Sequence, residues 1–212
     1  MKLKHYSLIF SISGIAVLYF LSILAQPTVI EISDISNYDG KEVIVDGTVT
    51  KYSFTSYGSQ IITIRDNNSS AAVFLEGVAD VEYGDRIRAT GNVQKFGEGW
   101  EIVVDNEKFI EVIEKWKNIS IPLWQLSLSP ERYSGLNVNV AGYLDSLYDT
   151  YLYLTDLDEE YKIIIFYDPY MYNSLQPGQK ITIFGKFEFN TEEFRYNILV
   201  TEPTHEILIG ES

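Results

Sequence analysis

Four blocks of this sequence occur twice, in the same order and at nearly the same spacing, and that repetition narrows the folds open to it. Tyr38, Gly40, Val43, Val45 and Gly47 recur 95 positions later as Tyr133, Gly135, Val138, Val140 and Gly142. Ile62-Thr63-Ile64-Arg65-Asp66 is matched by Leu152-Tyr153-Leu154-Thr155-Asp156. Gly84, Ile87 and Gly91 are matched by Gly178, Ile181 and Gly185, and Trp100, Ile102 and Val104 by Tyr196, Ile198 and Val200. A period of 90 to 96 residues is the size of one small domain. The chain of 212 residues therefore reads as a tandem duplication, one unit over residues 30–113 and the other over 121–210.

Within the first unit, short runs rich in Val, Ile, Thr and Tyr predict five strands, over 41–51, 60–65, 71–75, 86–93 and 101–104. Period-two alternation points Val43, Val45 and Val49 one way and Glu42, Ile44 and Asp46 the other. Gly47 and Gly142 interrupt otherwise good strands and predict a bulge or sharp coil there. Gly84-Asp85 and Pro177-Gly178 are turn signals ahead of the fourth strands. Any helix between strands three and four is short, and residues 168–175 are long enough for two turns. The linker 111–123, with Trp116 inside it and Trp124 beside it, predicts that the units touch.

A strand broken by glycine, a strand ending in Asp, and then Gly-Asp-x-hydrophobic-x-x-x-Gly together resemble the OB-fold nucleic-acid-binding domain of the tRNA-anticodon/helicase type. The fold class this implies is all-β, with two tandem five-stranded OB-type Greek-key barrels. Proteins of this fold bind oligonucleotides or oligosaccharides on the face of strands two and three and on the loops after strands one and four. Carried over residue by residue, the resemblance places Lys51, Tyr52, Phe54 and Tyr57 at the first loop, and Phe96 and Trp100 after the fourth strand. Arg65, Arg86 and Arg88 supply local positive charge. Aromatic side chains so placed stack on bases at about 1–3 kcal/mol each; alternatively, they cover barrel ends or pack unit on unit. In the second unit Tyr148, Tyr151 and Tyr153 hold equivalent places, but Asp149, Asp156, Asp158, Glu159 and Glu160 crowd the same edge. The first unit is the expected site.

Residues 6–25 carry no charge, and twenty helical residues rise about 30 Å, the thickness of a hydrocarbon core. Lys2, Lys4 and His5 precede this run, and Glu31, Asp34 and Asp39 follow it. The positive-inside bias predicts a cytoplasmic tail over 1–5, an uncleaved transmembrane helix over 6–25, and the β units outside a cell membrane. The competing reading, a cleaved signal peptide, would place bulky Ile23 at the −3 position of a cut after Ala25.

The net charge of −14 repels phosphate backbones, which argues against nonspecific nucleic-acid binding. The chain has no Cys, so disulfides, thiolate metal sites and Cys nucleophiles are excluded. Its two His residues are His5 in the tail and His205 past the last strand, the latter read as a surface residue. Catalysis would rest on carboxylates whose spacing selects no pair, so no enzyme, no catalytic residue, no cofactor and no metal site is predicted. Asp156-Leu157-Asp158-Glu159-Glu160 has the oxygen ligands of a hard-cation site without the spacing of an EF-hand loop, and reads as a solvated turn. The expected function is a membrane-tethered binding protein with a protein or glycan ligand. Single-stranded nucleic acid, held chiefly by the first unit, is the alternative. A cofactor or metal chaperone resting on His205 and the acidic turn is a lesser one.

Overall fold

The computed structural model describes residues 2–24, 26–168 and 174–210, with the side chains of 2–9 and 23–24 left aside. Helix α1 (Lys2–Leu24) leads through β1 (Thr28–Val29) and a 3-10 segment, Ile32–Tyr38, into the first sheet. That sheet contains β2 (Glu42–Phe54), β3 (Gln60–Asp66), β4 (Ser69–Leu75), β5 (Arg86–Phe96), β6 (Gly99–Val104) and β7 (Ile110–Glu114). A 3-10 turn, Trp116–Asn118, and the short helices α2 (Leu123–Leu128) and α3 (Pro130–Tyr133) lead to the second sheet. It holds β8 (Leu136–Leu147), β9 (Tyr151–Thr155), β10 (Lys162–Tyr167), β11 (Lys180–Asn190), β12 (Arg195–Val200) and β13 (Glu206–Ile209).

In the first sheet the strands run β1-β2-β3-β4-β6-β5-β7, and an additional β2–β5 ladder closes five of them into a barrel. The five predicted strands all form. Alternation supplies the inner face: Val43, Val45 and Val49 from β2 meet Ile62 and Ile64, Val73 and Leu75, Ile87 and Val93, and Ile102 and Val104, all buried. The second sheet runs β12-β10-β9-β8-β11-β13, with an additional β11–β12 pairing. Its core gathers Val138, Val140, Leu152, Leu154, Ile165, Ile183 and Ile198, and Leu126 of α2 packs into the same cluster.

The bulges do not fall on the interrupting glycines. Register slips between Val49 and Lys51 in the first barrel and between Leu144 and Ser146 in the second sheet, two residues past Gly47 and Gly142 respectively. The glycines serve close approach instead. A Cβ on Gly47 would lie 2.9 Å from the Ile64 Cβ, and one on Gly142 would lie 2.6 Å from the Thr155 carbonyl oxygen. Strands one and two cross tightly there, and only a hydrogen fits between them.

Two expectations about the ends of elements change. Helix α1 starts at Lys2, inside the segment read as a tail. Among the described residues no helix is long and apolar enough to cross a membrane. The expected transmembrane anchor, and with it the cell-membrane placement of the β units outside, is overturned. The helix predicted over 168–175 falls mostly on 169–173, outside the described residues.

The two sheets meet across the linker. Asp85, fully buried ahead of β5, accepts hydrogen bonds at Oδ1 from the Trp116 backbone N–H (3.0 Å) and at Oδ2 from the Glu82 N–H (3.0 Å). Its Oδ2 also takes the Lys115 ammonium at 3.0 Å. Burial pushes Lys115 down, but the bond to Asp85 and the charges of Asp85, Asp80 and Glu82 outweigh it and hold the ammonium above the ordinary lysine range. The Trp116 indole N–H donates to Glu82 Oε2 at 2.8 Å, and the ring stands edge-on to Phe184 and His205 of the second sheet. Trp116 is buried, as the linker reading required, whereas Trp124 is half exposed. Replacing Asp85 with Ala removes the acceptor of the buried Trp116 N–H and the part-buried Glu82 N–H, and the partner of the half-exposed Lys115 ammonium. It should lower unfolding free energy by about 3 kcal/mol in urea denaturation, with Asp85→Asn losing less; an unchanged midpoint for Asp85→Ala would remove this carboxylate from the account of the interface.

Candidate ligand-binding site

The residues singled out in the first unit do not form one cluster. Tyr57 and Phe54 are exposed on and beside the β2–β3 loop, Tyr57 to 95%. Phe96 is exposed at the β5–β6 hairpin. Tyr52 turns toward the barrel end, stacks on Tyr83 at 4.7 Å and meets Phe54 edge-on at 6.1 Å. Burial, with the neighbouring charges of Tyr83, Glu202 and Glu82, raises the Tyr52 phenol above its usual value. Trp100 packs against the barrel core. Arg88 is held by both oxygens of Asp46, at 2.8 and 2.9 Å. Lys51 stays exposed on the outer face, while Arg65 and Arg86 line a cleft toward the second sheet.

The register of the ladders defines what the outer face of β3 and β4 presents. Lys51 lies beside Thr63 and Ala72, Ser53 beside Ile61 and Phe74, and Arg65 beside Ser70. This face therefore offers one aromatic ring and two cations. The equivalent face of the second sheet is richer. Tyr153 pairs with Ile164 and Tyr151 with Phe166 across β9 and β10, while Leu152 and Leu154 turn inward. Tyr148 from the β8–β9 loop stacks on Tyr151 at 4.5 Å, Tyr151 meets Tyr153 edge-on at 5.9 Å, and Phe166 lies 6.0 Å from Tyr151. Four rings thus form one continuous surface on β9, β10 and the β8–β9 loop.

Charge around these rings is balanced. The Lys162 ammonium sits 6.0 Å over the Tyr153 ring and pairs with Asp145 at 3.0 Å. Hydrogen bonds from Lys162 and Ser146 hold the Asp145 carboxyl below the usual carboxylate range. Arg195 pairs with Glu193 at 2.6 Å, and a hydrogen bond to that carboxylate raises the guanidinium further. Asn197 follows Ile164 in the register and is buried, and its Oδ1 has no hydrogen-bond partner among the described residues.

The sequence carries the signal for this face in the spacing Tyr151-x-Tyr153. Of the acidic residues that argued against it, Asp156 is taken up by the fold. Asp156 Oδ1 accepts the N–H groups of Glu160 (2.8 Å) and Tyr161 (3.1 Å), so this carboxylate closes the turn between β9 and β10. Among the described residues no group of three His, Cys, Asp or Glu is placed to hold a metal ion.

His205, read as a surface residue, is 4% exposed. Its Nδ1 accepts the N–H of Glu202 (3.2 Å) and Thr201 (3.4 Å), which leaves the proton on Nε2, 3.3 Å from Asn137 Oδ1. Burial lowers its pKa below 6.5, Glu202 and Glu82 oppose the shift, and Lys117 and Lys186 add to it. The folded state therefore prefers the neutral ring, and the associated stability is complete above the ordinary histidine pKa. It is lost as pH falls from about 6.5 through the lower folded value. Thermal melts between about pH 7 and pH 5 should show wild type losing more stability than His205→Gln; parallel losses would dissociate the ring from the acid response.

No family model matches the chain, and no curated protein matches it. Solved structures do, and these neighbours are OB-fold proteins. An aspartyl-tRNA synthetase from Leishmania major Friedlin matches at 15% identity and a TM-score of 0.36, over 42% of this chain and 21% of its own. The telomere capping protein Ten1 from Saccharomyces pombe matches at 19% and 0.33, over 41% of this chain and 81% of its own. Fission yeast Pot1, solved with ssDNA, matches at 9% and 0.35, over 87% of this chain and 88% of its own.

Proposed function

We propose that this chain is a non-enzymatic binding protein built from two copies of one OB-type unit, 30–113 and 121–210, with its principal ligand seated on the tyrosine face of the second. Support for the duplication is that β8-β9-β10-β12-β11 repeats the ring β2-β3-β4-β6-β5, with the register slip 95 positions further on. Support for the site is the contiguous surface of Tyr148, Tyr151, Tyr153 and Phe166. Lys162 and Arg195 beside it are each spent on a carboxylate, so the face attracts rings without attracting phosphate. A neutral oligosaccharide fits: sugar rings lie on the tyrosines, and Asp145 and Glu193 accept from hydroxyls at the edge. Both carboxylates are engaged in ion pairs, which favours binding over acid–base chemistry.

A second reading, single-stranded nucleic acid on the first barrel, is favoured by Lys51 and Arg65. Both lie on the outer face that carries Phe74, and among the described residues neither has a carboxylate within ion-pair distance. The two readings separate by titrating the full chain with neutral oligosaccharides and with oligothymidylate at low salt. Tyr151→Ala and Tyr153→Ala should each weaken oligosaccharide binding about five- to a hundredfold, the equivalent of about 1–3 kcal/mol per stack. Unchanged affinity in both variants would sink the tyrosine site. Absence of oligothymidylate binding at low salt, where counterion release favours it most, would end the second reading.

A further inference from the structure

Three of the five arginines of this acidic chain, Arg65, Arg86 and Arg132, line one cleft of about 310 Å³ between the first barrel and the second sheet. The ladders explain two of them. Thr48 on β2 is the register partner of Arg65 on β3 and of Arg86 on β5, so the two arginines flank it on one outer face. The third comes from α3. Its carbonyl oxygen accepts a 2.5 Å hydrogen bond from the Arg65 guanidinium, which orients that group across the boundary between the sheets.

The remaining two arginines, Arg88 and Arg195, are ion-paired with Asp46 and Glu193. In the cleft the pattern reverses. Asp66 and Glu114 also line it, yet among the described residues no carboxylate lies within ion-pair distance of any of the three guanidinium groups. A protein with thirty acidic residues that gathers its unpaired arginines in one concavity has built a local field opposite to its own net charge. Guanidinium groups match phosphate oxygens by paired, charge-assisted hydrogen bonds, and the cleft is at the small end of the about 300–1,000 Å³ range of ligand pockets.

We propose that this cleft binds a phosphate group, carried either by a phosphorylated small molecule or by the backbone of a bound single strand. The site is separate from the tyrosine face and does not depend on it. The test titrates the full chain with inorganic pyrophosphate and, separately, with oligothymidylate at low ionic strength. Wild type is compared with Arg86→Gln, Arg132→Gln and the control Lys108→Gln, an exposed charge outside the cleft. Arg86 and Arg132 are exposed, so their variants should fold, as circular dichroism will verify. Saturable pyrophosphate binding, weakened about tenfold by either arginine variant and unaffected by Lys108→Gln or Tyr151→Ala, is the expected result. Oligothymidylate binding weakened by the same two variants and displaced by pyrophosphate would assign the phosphate to a strand backbone. No saturable binding of either probe, or equal weakening by Lys108→Gln, would overturn the site.

Discussion

A single buried carboxylate holds the two halves of this molecule in one arrangement. Asp85 lies in the turn ahead of β5 with no exposed surface and satisfies three donors, two backbone N–H groups and the Lys115 ammonium. A buried charge is tolerated only when paired and hydrogen-bonded, so the linker that supplies Lys115 and Trp116 has little freedom to leave. Trp116, so fixed, presents its ring to Phe184 and His205. Gly84 next to it admits the second sheet closely: a Cβ there would lie 2.7 Å from the Asn137 carbonyl oxygen. The arginine cleft and the buried histidine both exist because this contact is tight.

Behind that contact the two sheets share an interior and differ outside. Inward positions are filled by the same classes of residue, Val43 and Val138, Ile87 and Ile181, Ile102 and Ile198. Outward positions diverge: Thr63 against Tyr153, Ala72 against Ile164, Ile61 against Tyr151, with Phe74 and Phe166 alike. A barrel interior must be filled at near-crystalline density, so substitutions there are constrained by volume. The outer face carries no such demand, which leaves it open to carry tyrosines on one half and cations on the other.

Much of this was legible in the residues. Alternation in β2 indicated which side chains share a face, and Gly84-Asp85 marked the turn, although nothing local revealed that Asp85 would be the buried acceptor for Trp116. The glycines Gly47 and Gly142 were recognised as special but for the wrong local reason, because a bulge and a close crossing leave the same mark in one strand. Acidic residues near Tyr151 appeared to spoil that edge; Asp156 instead caps a turn, since its oxygen reaches backbone N–H groups that only the folded turn brings together. The apolar run near the N-terminus is helical, yet the membrane-spanning anchor inferred from it does not stand.

The sequence by itself determined the recurring blocks, the strand segments of the first unit and which residues of β2 share a face. Those depend on local periodicity, which is written in neighbouring residues. Tertiary structure alone decided which outward residues stand together: Tyr151 beside Phe166, Arg65 and Arg86 on either side of Thr48, and Arg132 across the boundary. Period two assigns a side chain to a face of its strand. Its neighbours on that face depend on turn length, bulge position and ring closure, which are settled only when distant strands pair.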